Sequence, residues 1–242
     1  MLSIVTASHR NPAGLRALHG QLRGGLDDQL EWIIQDTGAC AETGCWAEQL
    51  DQRLARFNAG QDTGIYDALN QALARARHPY YLVVGSDDSV DIGALRKIVS
   101  DLSSSPAHGA DIITYPVRID TRIRHRQPLW PGWANMLGVT ASHSVGTVIR
   151  RGLHDSLGLY DTRYQLLADS LFLRRAQLAG ARIVHRDTPV PGSFATTGAS
   201  RQRLGRVLIE NYTYNVECGS PRLFQAVGLV ARLIAYRPRT LL

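Results

Sequence analysis

Tyr80–Asp88 reads YYLVVGSDD. Five aromatic or aliphatic residues in succession specify a strand buried on both faces, and Gly85 with the polar residues after it ends that strand sharply. Working outward, Leu2–Thr6 (LSIVT) and Glu31–Gln35 (EWIIQ) are runs of the same kind, the second stopping at Asp36. Asp111–Tyr115 is another, and Ala55–Asn58 is a short one. Between them apolar residues recur at helical spacing. Leu15, Leu18 and Leu22 mark a helix over Ala13–Leu26; Leu69 and Leu73 mark one over Tyr66–Ala76; Ile92–Leu102 and Trp46–Leu54 complete the set. This alternation predicts an α/β fold with a mostly parallel central sheet flanked by helices. No G-x-G-x-x-G follows the first strand and no G-x-x-x-x-G-K-[ST] occurs, so the usual dinucleotide and P-loop readings lose support.

The second half is less regular. Arg118–Gln127 predicts an exposed hairpin or loop, Trp130–Trp133 a turn with two large aromatics, and Ser144–Ile149 a strand. Ser170–Leu178 predicts a helix preceded by Asp169, and Arg201–Cys218 and Leu223–Ala235 predict a helical C-terminal extension. Neither a repeat nor a clear linker divides the chain.

At 242 residues the length suits one α/β domain with a full core. The 44% hydrophobic and 20% charged composition excludes disordered and collagen-like classes. Of 27 basic residues only Lys97 is lysine, an imbalance that genomic codon bias explains. The net charge of +6 is uneven: residues 1–110 sum to −4 and residues 111–242 to +10. That split suggests two tasks in one fold, or a tail that meets an anionic surface. Three cysteines (Cys40, Cys45, Cys218) make no disulfide framework and no zinc pattern, so reduced thiols in a cytoplasmic protein are expected. The first residues lead directly into a strand-like run, without a signal-peptide pattern.

In an open α/β sheet, ligands bind beyond the carboxyl ends of the strands. Asp36 and the pair Asp87-Asp88 end strands, and Asp62 precedes the helix opened by Gly64–Asp67. Adjacent carboxylates repel unless a cation or donor groups offset them, and Mg2+ or Mn2+ is held by one or two carboxylates plus phosphate oxygens. Asp87-Asp88 is therefore a candidate metal–diphosphate site, with capping of the next helix as the alternative. Asp169 likewise reads as a helix N-cap or as a functional carboxylate.

Asp62–Asn70 (DTGIYDALN) followed by YYLVVGSDD resembles the D-x-G-I-Y-D-A-[ML]-N and strand–x-[SA]-D-D pattern of family 2 glycosyltransferases of the GT-A fold. LSIVTASHRN and EWIIQD are similar to that family's first two strands. Pro131–Trp133, Ala141–His143, Thr147–Arg151 and Leu167–Asp169 follow in the order seen in colanic-acid-type exopolysaccharide glycosyltransferases. The resemblance covers about residues 1–200. It divides the chain into a nucleotide-sugar-binding half (1–115), an acceptor-side half (116–200) and a basic helical segment (201–242).

The resemblance implies an inverting, metal-dependent transfer of sugar from a UDP-, GDP- or dTDP-sugar to a glycan or lipid-diphosphate-linked acceptor. Thr6 and Asp36 would hold the nucleotide base. Asp62, Tyr66, Asp67 and Asp87 would line the nucleotide-sugar pocket. Asp88, with Asp87, would hold Mn2+ or Mg2+ on the diphosphate. Asp169 would be the catalytic base, ionised at neutral pH with an unshifted carboxylate pKa. His143, Trp130 and Trp133 would face the acceptor, with structural hydrogen bonding and core packing as their alternatives.

The sequence also departs from the family pattern. Asp36-Thr37-Gly38-Ala39 replaces Asp-Gly-Gly-Ser, Ser144 replaces a glutamine, and Leu171 replaces a second acid after the base. Residues 201–242 hold seven arginines and two glutamates. Residues 222–239 could lie on an anionic membrane leaflet, giving a cytoplasmic protein peripheral to the inner face of the plasma membrane, or could pack on the domain. A catalytically silent GT-A domain that binds nucleotide sugar or scaffolds a glycan pathway is the competing reading. Nucleic-acid binding has no basic-aromatic motif to support it.

Overall fold

A computed structural model describes residues 1–104, 109–125, 143–194 and 203–240, with side chains of the last helix described to residue 234. Among the described residues seven strands form the main sheet: β1 (Leu2–Ser8), β2 (Leu30–Asp36), β3 (Ala55–Ala59), β4 (Tyr80–Val83), β6 (Ile112–Thr114), β9 (Thr147–Arg150) and β10 (Ile183–His185). Their order is β10-β6-β9-β4-β1-β2-β3, and only β9 runs antiparallel to its neighbours. A smaller sheet orders β5 (Ser89–Val90), β11 (Gly192–Phe194), β7 (Val117–Ile119) and β8 (Arg122–Arg124). The helices are α1 (Pro12–Leu22), α2 (Ala41–Ala47), α3 (Ile65–Leu73), α4 (Ile92–Ser104), α5 (Leu153–Leu157), α6 (Ala168–Leu178), α7 (Leu204–Glu217) and α8 (Arg222–Thr240).

The sheet is buried on both faces because successive strand residues point opposite ways. Leu2, Ile4, Trp32, Ile34 and Leu82 pack with Leu15, Leu18 and Leu22 of α1 and Leu95, Ile98 and Leu102 of α4. On the other face Val5, Ile33 and Tyr81 pack with Tyr66, Leu69 and Leu73 of α3 and Ala168, Leu171 and Phe172 of α6. Tyr214 of α7 is buried in that same layer. This core layer thus takes in a helix beyond residue 200, where the domain's edge is expected from the sequence.

The helix expected over Trp46–Leu54 lies earlier, at Ala41–Ala47. Trp46 packs on Trp32, with ring centroids 6.3 Å apart, and fixes this helix against the sheet. Downstream, the Asp51 carboxylate accepts the Arg53 N–H at 3.1 Å and the Asp51 carbonyl accepts the Leu54 N–H at 3.0 Å. That turn chemistry overrides the apolar spacing. The hairpin expected after residue 117 is present as β7–β8.

β1 has β2 on one side and β4 on the other, so the chain's winding reverses between β1 and β4. Such a switch point leaves a crevice at the carboxyl edge of the strands. Asn11 ties its two walls together: its Oδ1 accepts the Gly14 N–H at 3.0 Å, capping α1, and its Nδ2 donates to the Ser86 carbonyl at 3.1 Å. A Cβ on Gly14 would lie 2.0 Å from that carbonyl oxygen. Gly14→Ala is therefore expected to cost about 1–3 kcal/mol through overpacking, read as a lower melting temperature.

Candidate active site

The carboxyl edges of β1 to β4 gather most of the acidic residues singled out in the sequence. Asp36 ends β2 fully buried; its Oδ1 accepts the Gly38 N–H at 2.8 Å, and its Oδ2 has no hydrogen-bond partner. Ser8 stands opposite Asp36 in the β1–β2 register, and its buried Oγ is also unpartnered. Asp62, beyond β3, gives one oxygen to the Gly64 N–H at 3.0 Å, and its buried Oδ2 is unpartnered. Buried polar atoms are ordinarily hydrogen-bonded, so three unpartnered oxygens on one sheet edge are open to donors from a ligand. Ser8 carried no signal in the sequence beyond its position at a strand end.

Asp87 and Asp88 follow β4 and fold back over Gly85. A Cβ on Gly85 would lie 2.8 Å from Asp87 Oδ1 and 2.9 Å from Asp88 Oδ2. The two carboxylates thus converge on a point that only glycine leaves open. Asp88 is buried and accepts the Gly85 N–H at 2.9 Å; Asp87 is exposed. Neither caps α4, since Asp91 accepts the Ala94 N–H at 2.9 Å and fills that role. Among the described residues no cluster of three or more His, Cys, Asp or Glu could cage a metal. A converging carboxylate pair fits the other kind of site, in which a hard divalent ion takes its remaining oxygens from a diphosphate and water.

Asp169 lies in the first turn of α6. Leu167 holds the N-cap position, so the capping alternative for Asp169 does not apply. Its Oδ1 accepts the Tyr66 hydroxyl and the Ser170 N–H, each at 2.8 Å. With both of these hydrogen bonds on Oδ1, Oδ2 is the oxygen disposed to take up a proton. The side chain is only partly exposed, and burial pushes its carboxyl above the usual range, against the lowering effect of the Tyr66 and Ser170 hydrogen bonds. The unshifted pKa expected from sequence is thus corrected upward, which strengthens the group as a base.

Other expected site residues are placed differently. Thr6 is fully buried, and its Oγ1 accepts the Trp32 indole N–H at 3.0 Å. Its hydroxyl serves the core rather than the crevice. Tyr66 is buried with its hydroxyl on Asp169 and on the Leu166 carbonyl, both at 2.8 Å. It is tied to Asp169, not to the orphaned oxygens of Asp36 and Asp62. Asp67 closes its own loop, accepting the Thr63 N–H at 2.8 Å and hydroxyl at 3.1 Å.

His143 precedes β9. Because β9 is antiparallel, that end lies at the same sheet edge as Asp88. Its ring stacks on Phe194 with centroids 3.7 Å apart, and burial lowers its pKa to about 4. At neutral pH it is an uncharged hydrogen-bonding group. Trp130 and Trp133 lie outside the described residues.

The sequence model for Glycosyl transferase family 2 matches residues 3–160. A PGL/p-HBAD biosynthesis glycosyltransferase of Mycobacterium tuberculosis is 25% identical over 177 residues, covering 70% of this chain and 66% of the relative. The chain thus spans just under two thirds of that relative's length. The mannosyltransferase PcManGT of Pyrobaculum calidifontis, in complex with GDP-Man and Mn2+, superposes with a TM-score of 0.66 at 19% identity, covering 97% of this chain and 69% of that one. S. aureus TarS 1-349 in complex with UDP-GlcNAc gives a TM-score of 0.63 at 15% identity, covering 93% of this chain and 69% of that one. The fold of these neighbours is the GT-A fold.

Proposed function

The chain belongs to glycosyl transferase family 2, and from that premise we propose that it moves a sugar from a nucleotide-diphosphate sugar to a hydroxyl of a glycan or lipid-linked acceptor. One observation carries the reading: the orphaned oxygens of Ser8, Asp36 and Asp62 share a sheet edge with the carboxylates that converge over Gly85. A nucleobase N–H and ribose hydroxyls supply donors for the first three. GDP-Man with Mn2+ in PcManGT, and UDP-GlcNAc in TarS, support a donor of this class.

Asp36 and Ser8 would hold the base, and Asp62 would line the pocket beside them. Asp88 and Asp87 would hold Mn2+ or Mg2+, which supplies Lewis acidity to a departing diphosphate. Asp169 Oδ2 would take the proton from the acceptor hydroxyl. The acceptor oxygen's electron pair would form the new bond to the anomeric carbon as the bond to the diphosphate oxygen breaks. A single displacement inverts the anomeric configuration. His143, neutral, would donate or accept a hydrogen bond at the acceptor edge.

A thermal-shift series with UDP-, GDP- and dTDP-sugars, each with and without MnCl2, tests the reading. One nucleotide class is expected to raise the melting temperature, and more so with Mn2+. If no nucleotide sugar stabilises the protein under either condition, the reading fails.

The same reading places the acceptor at a cell-surface glycan pathway on an anionic lipid surface, and α8 supports this. Leu223, Val227, Val230 and Ile234 are exposed at helical spacing, and α8 carries arginines and no acidic residue. Among the described residues no helix is long and apolar enough to cross a membrane, so contact would be interfacial. The protein is expected to pellet with phosphatidylglycerol vesicles and not with phosphatidylcholine vesicles. The double variant Leu223→Ser/Val227→Ser is expected to lose most of that binding. Equal pelleting of variant and parent would remove α8 from the interaction.

A further inference from the structure

Glu210 lies on α7, outside the region matched by the family model. A glutamate on a helix ordinarily faces water, but Glu210 is buried. Its carboxylate accepts three successive backbone N–H groups just ahead of α6: Gln165 at 3.0 Å, Leu166 at 2.9 Å and Leu167 at 3.0 Å. Arg206 Nε donates to the same carboxylate at 3.0 Å and offsets its charge. Leu167, the N-cap of α6, makes no side-chain cap, and Glu210 supplies from another helix an anionic acceptor for its N–H and the two before it.

The Leu167 N–H and the Leu166 carbonyl belong to one peptide unit. Glu210 holds its N–H end, and the Tyr66 hydroxyl donates to its carbonyl end at 2.8 Å. Tyr66 also lies 2.8 Å from Asp169 Oδ1. The phenol has one hydrogen for two acceptors. Whatever fixes the Leu166 carbonyl therefore sets how much of that hydrogen reaches Asp169. We propose that Glu210 is a positioning residue for the base: through the 166–167 peptide and Tyr66 it fixes the orientation of Asp169 and holds the phenol hydrogen partly away from it. This rests on the reading of Asp169 as the base.

The direction of each effect follows. In Glu210→Gln the peptide loses its anionic acceptor, its carbonyl competes less for the phenol hydrogen, and Asp169 receives more of it. A carboxylate that accepts a fuller hydrogen bond titrates lower. In Tyr66→Phe the bond is absent and Asp169 titrates higher. The other titratable groups facing Asp169 are the phenols of Tyr81 on β4, Tyr160 ahead of α6 and Tyr214 on α7. All three are raised by burial and stay neutral through the working range.

The experiment measures kcat, donor KM and the acid limb of the kcat–pH profile for the parent, Glu210→Gln, Glu210→Asp, Tyr66→Phe and Asp169→Asn. Glu210→Gln is expected to lose about 10–100-fold in kcat at unchanged donor KM, with the acid limb moved to lower pH. Tyr66→Phe is expected to move the limb to higher pH. Glu210→Asp, which keeps the charge, should recover part of the rate. The proposal is overturned if Glu210→Gln keeps kcat within twofold, or loses rate with the limb unmoved. Should Glu210→Gln fail to fold, Tyr66→Phe decides alone, and an unmoved or lowered limb overturns the proposal. Retained turnover in Asp169→Asn would instead sink the base assignment, which separates the two failures.

Discussion

Asp169→Asn is expected to lower turnover by about 10³-fold, roughly 4 kcal/mol of barrier, while nucleotide-sugar affinity is unchanged. Asparagine matches aspartate in shape and keeps an acceptor for the Ser170 N–H and the Tyr66 hydroxyl, but it cannot take a proton. The proposed donor-binding residues lie at the ends of β1 to β4, whereas Asp169 is mounted on α6. Loss of rate without loss of donor binding is thus the specific signature. The substitution also removes a carboxylate whose charged form burial disfavours. The melting temperature should hold or rise, as is common where a site carries strain for the sake of function. Calorimetric titration of the donor beside initial rates of nucleotide release checks both halves. Turnover within tenfold of the parent would remove Asp169 from the reaction.

Asp88→Asn carries the second large effect. The asparagine carbonyl oxygen can still accept the Gly85 N–H that Asp88 takes at 2.9 Å, so the loop beyond β4 keeps its shape. What is lost is charge at the point where Asp87 and Asp88 converge. A divalent ion bound to one or two carboxylates loses much of its affinity with either of them. The expected result is a fall in kcat/KM of about 10³-fold at fixed MnCl2 and a far weaker response to added Mn2+. An Mn2+ titration of rate in parent and variant reads this directly. An unchanged response curve would show that no ion is held there.

Much of the fold was legible because its information is local. YYLVV, LSIVT and EWIIQ are each read within a few residues, and the acids that end the first and the third mark a candidate ligand edge without any knowledge of pairing. Three features were not legible, each for a physical reason. The helix near Trp46 moved upstream because Asp51 makes a turn that apolar spacing cannot register. Thr6 was matched to the nucleotide base by resemblance alone, yet β1 runs on to Ser8, leaving Thr6 inside the core beneath Trp32. The links among Tyr66, Asp169 and Glu210 join residues far apart in the chain, and no periodicity carries such a link. A buried glutamate on a helix looks like a solvated one until its partners are known.

The separation of Tyr66 from Asp169 by 103 positions has a consequence for how the protein comes into being. The sheet edge at the ends of β1 to β4 is made of successive parallel strand–helix units and closes mostly through neighbouring segments, whereas the surroundings of Asp169 close through contacts between segments far apart in the chain. During synthesis on the ribosome the donor pocket would be complete before Glu210 emerges. A nascent chain at that stage would carry the residues proposed to hold nucleotide sugar without the contacts that hold Asp169. Binding competence and catalytic competence would arise at different moments in the life of one molecule.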